Sequence, residues 1–200
     1  RSLSDSQTAG SRHGITMRLV RHLFESSPAP ENTTDIARRL GISRDTVLRH
    51  LDLLEESFLV WRQPGFVAGT AGELQRAQIV GFDTGVMAAS RLGRSESRLG
   101  SDLETFVLNE VRSQLSWSEP GAAPVIYHWR FKNRAEVDVV LEFPGGDLVA
   151  IEVKAASDPD PAHLKWLTMF RERYASPDRA VRTYVFYLGE RCVPYLDHWF

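Results

Sequence analysis

Cysteine is nearly missing from this chain: Cys192 is the one example in 200 residues. An internal disulfide is therefore excluded, and a reducing compartment, the cytoplasm, is the expectation. Long apolar runs are missing too. No stretch approaches the ~20 residues that would span a bilayer, and nothing at the start reads as a signal peptide. No strong excess of either charge sign exists, with 24 Lys+Arg against 26 Asp+Glu and a net charge of −2. The whole molecule thus does not advertise a polyanion partner, and any nucleic-acid contact has to come from a local patch. Lysine is scarce, found only as Lys132, Lys154 and Lys165. In so lysine-poor a chain, Lys154 hints that its point charge and titratable amine are wanted where it stands. No G-x-x-x-x-G-K-[ST] loop occurs, so no ATP site of that kind is expected.

What is present reads as an ordinary globular chain, 42% apolar and 25% charged, of one large or two small domains. Residues 1–15 are a polar, Ser-rich lead-in. From Thr16 the spacing of Leu19, Val20, Leu23 and Phe24 predicts a helix that stops near Ser26-Ser27-Pro28. A short helix follows, capped by Thr33 or Thr34, with Ile36, Ala37 and Leu40 on its apolar side. Gly41 breaks it. Ser43 caps the next helix, which runs through Val47, Leu48, Leu51 and Leu54. Helix, glycine turn, helix is the helix-turn-helix pattern. Phe58–Trp61 and Gly65–Val67 then suggest a wing hairpin. The stretch TTDIARRLGISRDTVLRHLDLLEESFLV resembles the winged-helix family, which sets a domain over residues 16–92. A DNA reader of this kind would present Ser43, Arg44, Thr46, Arg49 and His50 to a groove. Residues 1–70 hold 9 Arg against 8 Asp or Glu, so phosphate affinity is expected to be modest, and an architectural role stays open beside DNA contact.

Residues 78–82 read as a short strand and 86–88 as part of a small helix. The Arg/Gly/Ser-rich run 91–101 reads as a mobile boundary loop. The helix from Asp102 then opens a second domain over residues 93–200. Val125–Phe131 alternates and reads as a first core strand. Its His128 and Arg130 are candidates to meet phosphate, with the solvent side of an edge strand as the plainer alternative.

The densest chemistry lies in AEVDVVLEFPGGDLVAIEVKA, residues 135–155. Alternating β-branched residues flank Pro144-Gly145-Gly146-Asp147, the expected signal of a hairpin. Asp138, Glu152 and Lys154 stand where a buried strand wants apolar side chains. Glu152 and Lys154, two apart, point the same way, and pairing brings Asp138 alongside. Two carboxylates and an ammonium make a site for Mg²⁺ or Mn²⁺, with the lysine orienting water or steadying phosphate charge. A surface salt bridge is the plain alternative. Glu136 is a candidate accessory acid.

Asp138, the glycine turn and Glu152-x-Lys154 together resemble the PD-(D/E)xK nuclease core. With SRDTVLRHLDLLEESFLVWRQPGF, IVGFDTGVMAASRLG, GSDLETFVLNEVRSQLSWS and YVFYLGERCVPYLDHWF, the chain resembles a prokaryotic family of AAA+ ATP-binding proteins. In that family a winged helix precedes a nuclease-like domain of unknown function. The resemblance implies an α/β (α+β) fold, a restriction-endonuclease-like mixed sheet flanked by helices after the winged helix-turn-helix. It implies that Glu104, on the helix before the first strand, completes a metal shell with Asp138 and Glu152, and that Lys154 joins them in catalysis. It further implies DNA as a partner, an AAA+ ATPase half that this chain lacks, and no membrane; oligomeric state does not follow. The segment GTAGELQRAQ departs from the family in having only Arg76 as a basic residue. Three functions follow: a metal-dependent DNA endonuclease, a catalytically silent scaffold of the same fold, and a winged-helix regulator.

Overall fold

The computed structural model describes residues 12–69, 72–91, 98–119, 121–132, 135–158 and 160–200. Most of the polar lead-in and the core of the boundary loop lie outside the described residues. Contacts divide the chain into two units, Arg1–Arg62 with Ile79–Ser97 and Gln63–Gln78 with Arg98–Phe200.

The first unit is built on α1 (Arg12–Ser26), α2 (Thr33–Leu40) and α3 (Arg44–Glu56). Asn32 caps α2 by accepting from the Asp35 amide, one residue earlier than the sequence suggests. Gly41 ends α2 in the left-handed region at φ 66°, a conformation glycine enters without a Cβ penalty. The Ser43 side chain caps α3 by accepting from the Thr46 amide. Leu19, Leu23, Phe24, Ile36, Val47, Leu51 and Leu54 form the core. Beyond the helices, β1 (Ala29–Pro30), β2 (Val60–Gln63) and β3 (Gln78–Gly81) form a sheet in the order β1-β3-β2, followed by α4 (Thr84–Ser90). The strand that returns against β2 is therefore Gln78–Gly81, and not the expected Gly65–Val67. Pro64 has no N–H to continue the ladder. Gly65 lies so close to the Leu74 carbonyl that an added Cβ would meet it at 2.5 Å.

In the second unit α5 (Leu99–Leu115) precedes a mixed six-stranded sheet. Its strands are β4 (Val125–Phe131), β5 (Ala135–Glu142), β6 (Leu148–Lys154), β7 (Val181–Tyr187), β8 (Pro194–Tyr195) and β9 (His198–Trp199), in the order β4-β5-β6-β7-β9-β8. The hairpin of β5 and β6 forms where the sequence predicts it, with Gly146 at φ 89° in its turn. A 3₁₀ turn and α6 (Lys165–Tyr174) connect β6 to the parallel β7. Phe66, Trp129, Val137, Val140, Ala150, Leu167, Phe170 and Tyr174 form the core. The aromatic rings meet in edge and tilted contacts, Phe66–Tyr174 at 5.3 Å and Trp129–Phe170 at 5.2 Å. Among the described residues no helix is long and apolar enough to cross a membrane.

Candidate functional site

β5 carries one more residue than its neighbour over the same span. Tyr127 of β4 faces Val140, yet Trp129 faces Val137, so two steps on β4 match three on β5. The extra residue makes a β-bulge at Asp138–Val139, opposite His128. Bulges break the ladder locally and re-aim a side chain. On the other side of β5, the pairs with β6 run from Glu142↔Leu148 to Val139↔Ile151. Beyond the last of these pairs, the Val153 amide donates to Asp138 Oδ2 at 2.7 Å. The aspartate side chain thus occupies a place on β6 that a main-chain carbonyl would otherwise take.

Glu152 is buried, and its Oε1 accepts from Lys154 Nζ at 2.6 Å. Its Oε2 is buried with no hydrogen-bond partner among the described residues. Burial pushes the Glu152 carboxyl upward, the Asp138 charge pushes it further, and Lys154 opposes both. Asp138 is raised by burial against the opposing pull of the Val153 amide and Lys154. Glu104 reaches the same neighbourhood from α5. Burial, and then the charges of Asp138, Glu136 and Glu152, push its carboxyl up to about 9, with Arg130 opposing. Burial works against the Lys154 ammonium, but Glu152, Asp138 and Glu136 outweigh it and hold its pKa above the usual lysine value.

Folding therefore gathers Glu104, Glu136, Asp138, Glu152, Lys154 and Arg130 into one electrostatic cluster. Arg130 stands across the strand pair from Glu136, 3.2 Å from its carboxylate, and its charge reaches both Glu104 and Asp138. His128 does not join them. It is 3% exposed, and its Nε2 lies 3.0 Å from the Arg76 carbonyl, to which it must donate because a carbonyl only accepts. Burial lowers its pKa to about 4, so it is neutral. Nor is β4 an open edge: His128 N donates to the Pro64 carbonyl, Phe66 N to the His128 carbonyl and Leu74 N to the Arg130 carbonyl. A phosphate-contacting role for His128 is thus corrected, since the segment before β3 covers it.

In the first unit, Arg44 and Arg49 lie exposed on α3. Arg44 Nε donates to Thr33 Oγ1 at 3.1 Å, while Arg49 reaches the Asp45 carbonyl and Thr46 Oγ1 within its own helix. His50 is 8% exposed, with Nδ1 3.1 Å from Thr16 Oγ1 on α1. It packs inward and is not offered to a groove as expected. Two acids of α3 are engaged by one cation, Arg62, which pairs with Asp52 at 2.8 Å, with Glu55, and with Glu31 at 3.3 Å.

The donor set at the acid cluster suits a hard cation in chemistry: two adjoining carboxylates, one with an unsatisfied buried oxygen. Mg²⁺ takes one or two carboxylates and keeps several waters. Among the described residues no three His, Cys, Asp or Glu side chains are placed to hold a metal between them. The fit is to a site of two protein carboxylates completed by water, not to an all-protein cage.

Comparison with known proteins agrees with this division. Residues 99–200 match the family described as a domain of unknown function (DUF4143), and residues 13–60 match a helix-turn-helix domain. The uncharacterized proteins Mb2031c of Mycobacterium bovis and Rv2008c of Mycobacterium tuberculosis are each 28% identical over 132 residues, 62% of this chain. The match spans 28% of the length of each of these curated relatives. No solved structure matches the chain.

Proposed function

The chain belongs, over residues 99–200, to the DUF4143 family, and from the acids this domain gathers we propose that it hydrolyses phosphodiesters in DNA with a divalent cation, Mg²⁺ or Mn²⁺, in the manner of PD-(D/E)xK nucleases. The observation that carries this reading is the buried Glu152 oxygen without a partner, beside Asp138 and Lys154. A buried, unpaired carboxylate oxygen is costly unless something positive meets it. Asp138 and Glu152 would hold the cation, with Glu104 assisting through water. When bound, the cation would supply charge stabilisation at the scissile phosphate and a more acidic water.

The chain's own groups do the rest. Asp138 is held by the Val153 amide through Oδ2, which leaves Oδ1 as the oxygen that would bind the cation. Lys154 supplies an ammonium beside Glu152, able to orient the attacking water or meet negative charge developing on the phosphate. Arg130 is positioned to steady a phosphate if it leaves Glu136. The helix-turn-helix domain would present Arg44 and Arg49 to the DNA backbone. An AAA+ ATPase half would belong to the part of the longer relatives that this chain does not span.

A second reading is favoured by one observation, the lack of three converging ligands among the described residues. Under it the domain is a scaffold for protein contact, since fold does not settle function. Titrating Mn²⁺ while following thermal stability separates the two. The nuclease reading expects stabilisation in the wild type and none in Asp138→Ala. It also expects Mg²⁺-dependent nicking of plasmid, abolished by Lys154→Ala. Absence of both effects, over linear, supercoiled and single-stranded DNA, would leave the scaffold.

A further inference from the structure

Two buried glutamines lie against the bulge that aims Asp138. Gln63 is fully buried and Gln78 is 3% exposed. Gln63 Nε2 donates to the Tyr127 carbonyl at 2.8 Å and to the Asp138 carbonyl at 3.0 Å. These carbonyls belong to β4 and β5, at the register shift, where the extra residue disturbs the regular ladder. Carbonyls only accept, so the amide nitrogen of Gln63 must face them. Its own oxygen then accepts from Gln78 Nε2 at 2.6 Å. One side chain thus spends both N–H donors across a single bulge, and a second side chain fixes which way round it sits.

Asp138 is therefore fixed at two points: its main-chain carbonyl by Gln63, and its carboxylate by the Val153 amide. We infer that Gln63, locked by Gln78, is a positioning residue that holds the Asp138 bulge and so sets where the Asp138 carboxylate points. Buried polar groups cost free energy unless fully paired. An apolar pair would fill this space without two buried amides, but it would leave the bulge carbonyls without these donors. The pair also brackets the segment that leaves the first unit at Arg62 and returns at Ile79, so the acid centre depends on residues outside the family's matched span of 99–200.

That this positioning serves cation binding rests on the proposed function; that it aims Asp138 does not. The test reads Val153 first. In the full chain, hydrogen exchange of the Val153 amide is compared between wild type, Gln63→Met, Gln78→Met and Tyr174→Phe. Tyr174 serves as the control because its hydroxyl bonds the side chains of Trp129 and Glu73, beside the bulge, but not the Tyr127 or Asp138 carbonyl. Gln63→Met is expected to speed Val153 exchange at least tenfold while the Val139–Ile151 ladder amides keep their protection. Gln78→Met is expected to give a smaller, several-fold increase in the same amide, and Tyr174→Phe none. Unchanged Val153 exchange in the folded Gln63→Met protein, or in Gln78→Met if Gln63→Met does not fold, would overturn the inference. So would an equal increase in Tyr174→Phe. The same proteins are then titrated with Mn²⁺. Weakened binding in the glutamine variants extends the role to the cation. Absence of binding in the wild type instead removes the cation reading and leaves the Val153 result to decide the inference.

Discussion

A carboxylate whose side chain is 3% exposed, with one oxygen on Lys154 and the other on nothing described, makes the Glu152–Lys154 pair sensitive to pH. Its lysine partner matters most when Glu152 is charged. Lys154→Met should lower stability by about 1–3 kcal/mol above neutral pH, because it strands a buried charge. It should cost less near pH 5, where the raised Glu152 pKa keeps that group protonated; urea denaturation at the two pH values checks this. The Glu104 pKa is also raised, but removing its charge should stabilise and not destabilise at high pH. Its folded pKa of about 9 lies above the ordinary glutamate value of 4.5, so between those values the native state holds more protons than the unfolded chain. Stability must then fall as pH rises through that window. Glu104→Gln removes the effect, and its Tm should match wild type near pH 5 and exceed it near pH 9. A gain on the order of 1 kcal/mol would raise Tm by roughly 3–6 °C for a unit of this size. A Glu104→Gln protein no more stable than wild type at high pH would show that burial and the neighbouring acids do not raise the Glu104 pKa.

Elements show how a local rule and a long-range one divide the labour. Gly146 at φ 89°, the Phe143 amide donating to the Asp147 carbonyl and the Gly146 amide donating to the Phe143 carbonyl close the β5–β6 turn, so Gly146→Ala should cost about 1 kcal/mol or more in a thermal melt. Ser43→Ala, losing the α3 cap, should cost about as much. These features were legible because each depends on a few adjacent residues: a Pro/Gly/Asp cluster between alternating apolar runs, or a serine ahead of an apolar period. The helix-turn-helix and the mixed α/β order could be read for the same reason. Legibility failed where a distant segment decides. Tyr127-His128-Trp129 alternates without a flaw, and nothing within it announces that β5 will spend an extra residue opposite His128. Burial of His128 depends on residues 64–66 and 72–76 lying along β4, which the local pattern of either stretch does not encode. His50 failed likewise, its side chain turned to Thr16, 34 positions away. Of the acid site, the hairpin placed Asp138, Glu152 and Lys154 from sequence. The reach of Glu104 was carried by resemblance, and the two glutamines had no sequence signal, since a buried amide looks like any other.

For the whole molecule, the segment 63–78 decides what can fold alone. The matched family span begins at residue 99, and a fragment 98–200 would look like a complete domain from sequence. It would nonetheless lose Phe66, which is 3% exposed and meets Tyr127, Phe170 and Tyr174. Removing a buried phenylalanine alone costs about 3–5 kcal/mol, a large part of the ~5–15 kcal/mol that typically separates folded from unfolded chains. The fragment would also lose Gln63 from the Tyr127 and Asp138 carbonyls, and Glu73 from the Tyr174 hydroxyl. It would expose the β4 edge that Pro64, Phe66, Gly72 and Leu74 now pair with, and an open edge invites association. Residues 63–200 keep all of these contacts, although the chain between 78 and 98 becomes a tether. Circular dichroism melts of the two fragments should therefore differ sharply: a cooperative transition for 63–200, and for 98–200 a broad one or aggregation on heating. A cooperative melt of 98–200 within a few degrees of the longer fragment would mean that residues 63–78 decorate the sheet without completing it.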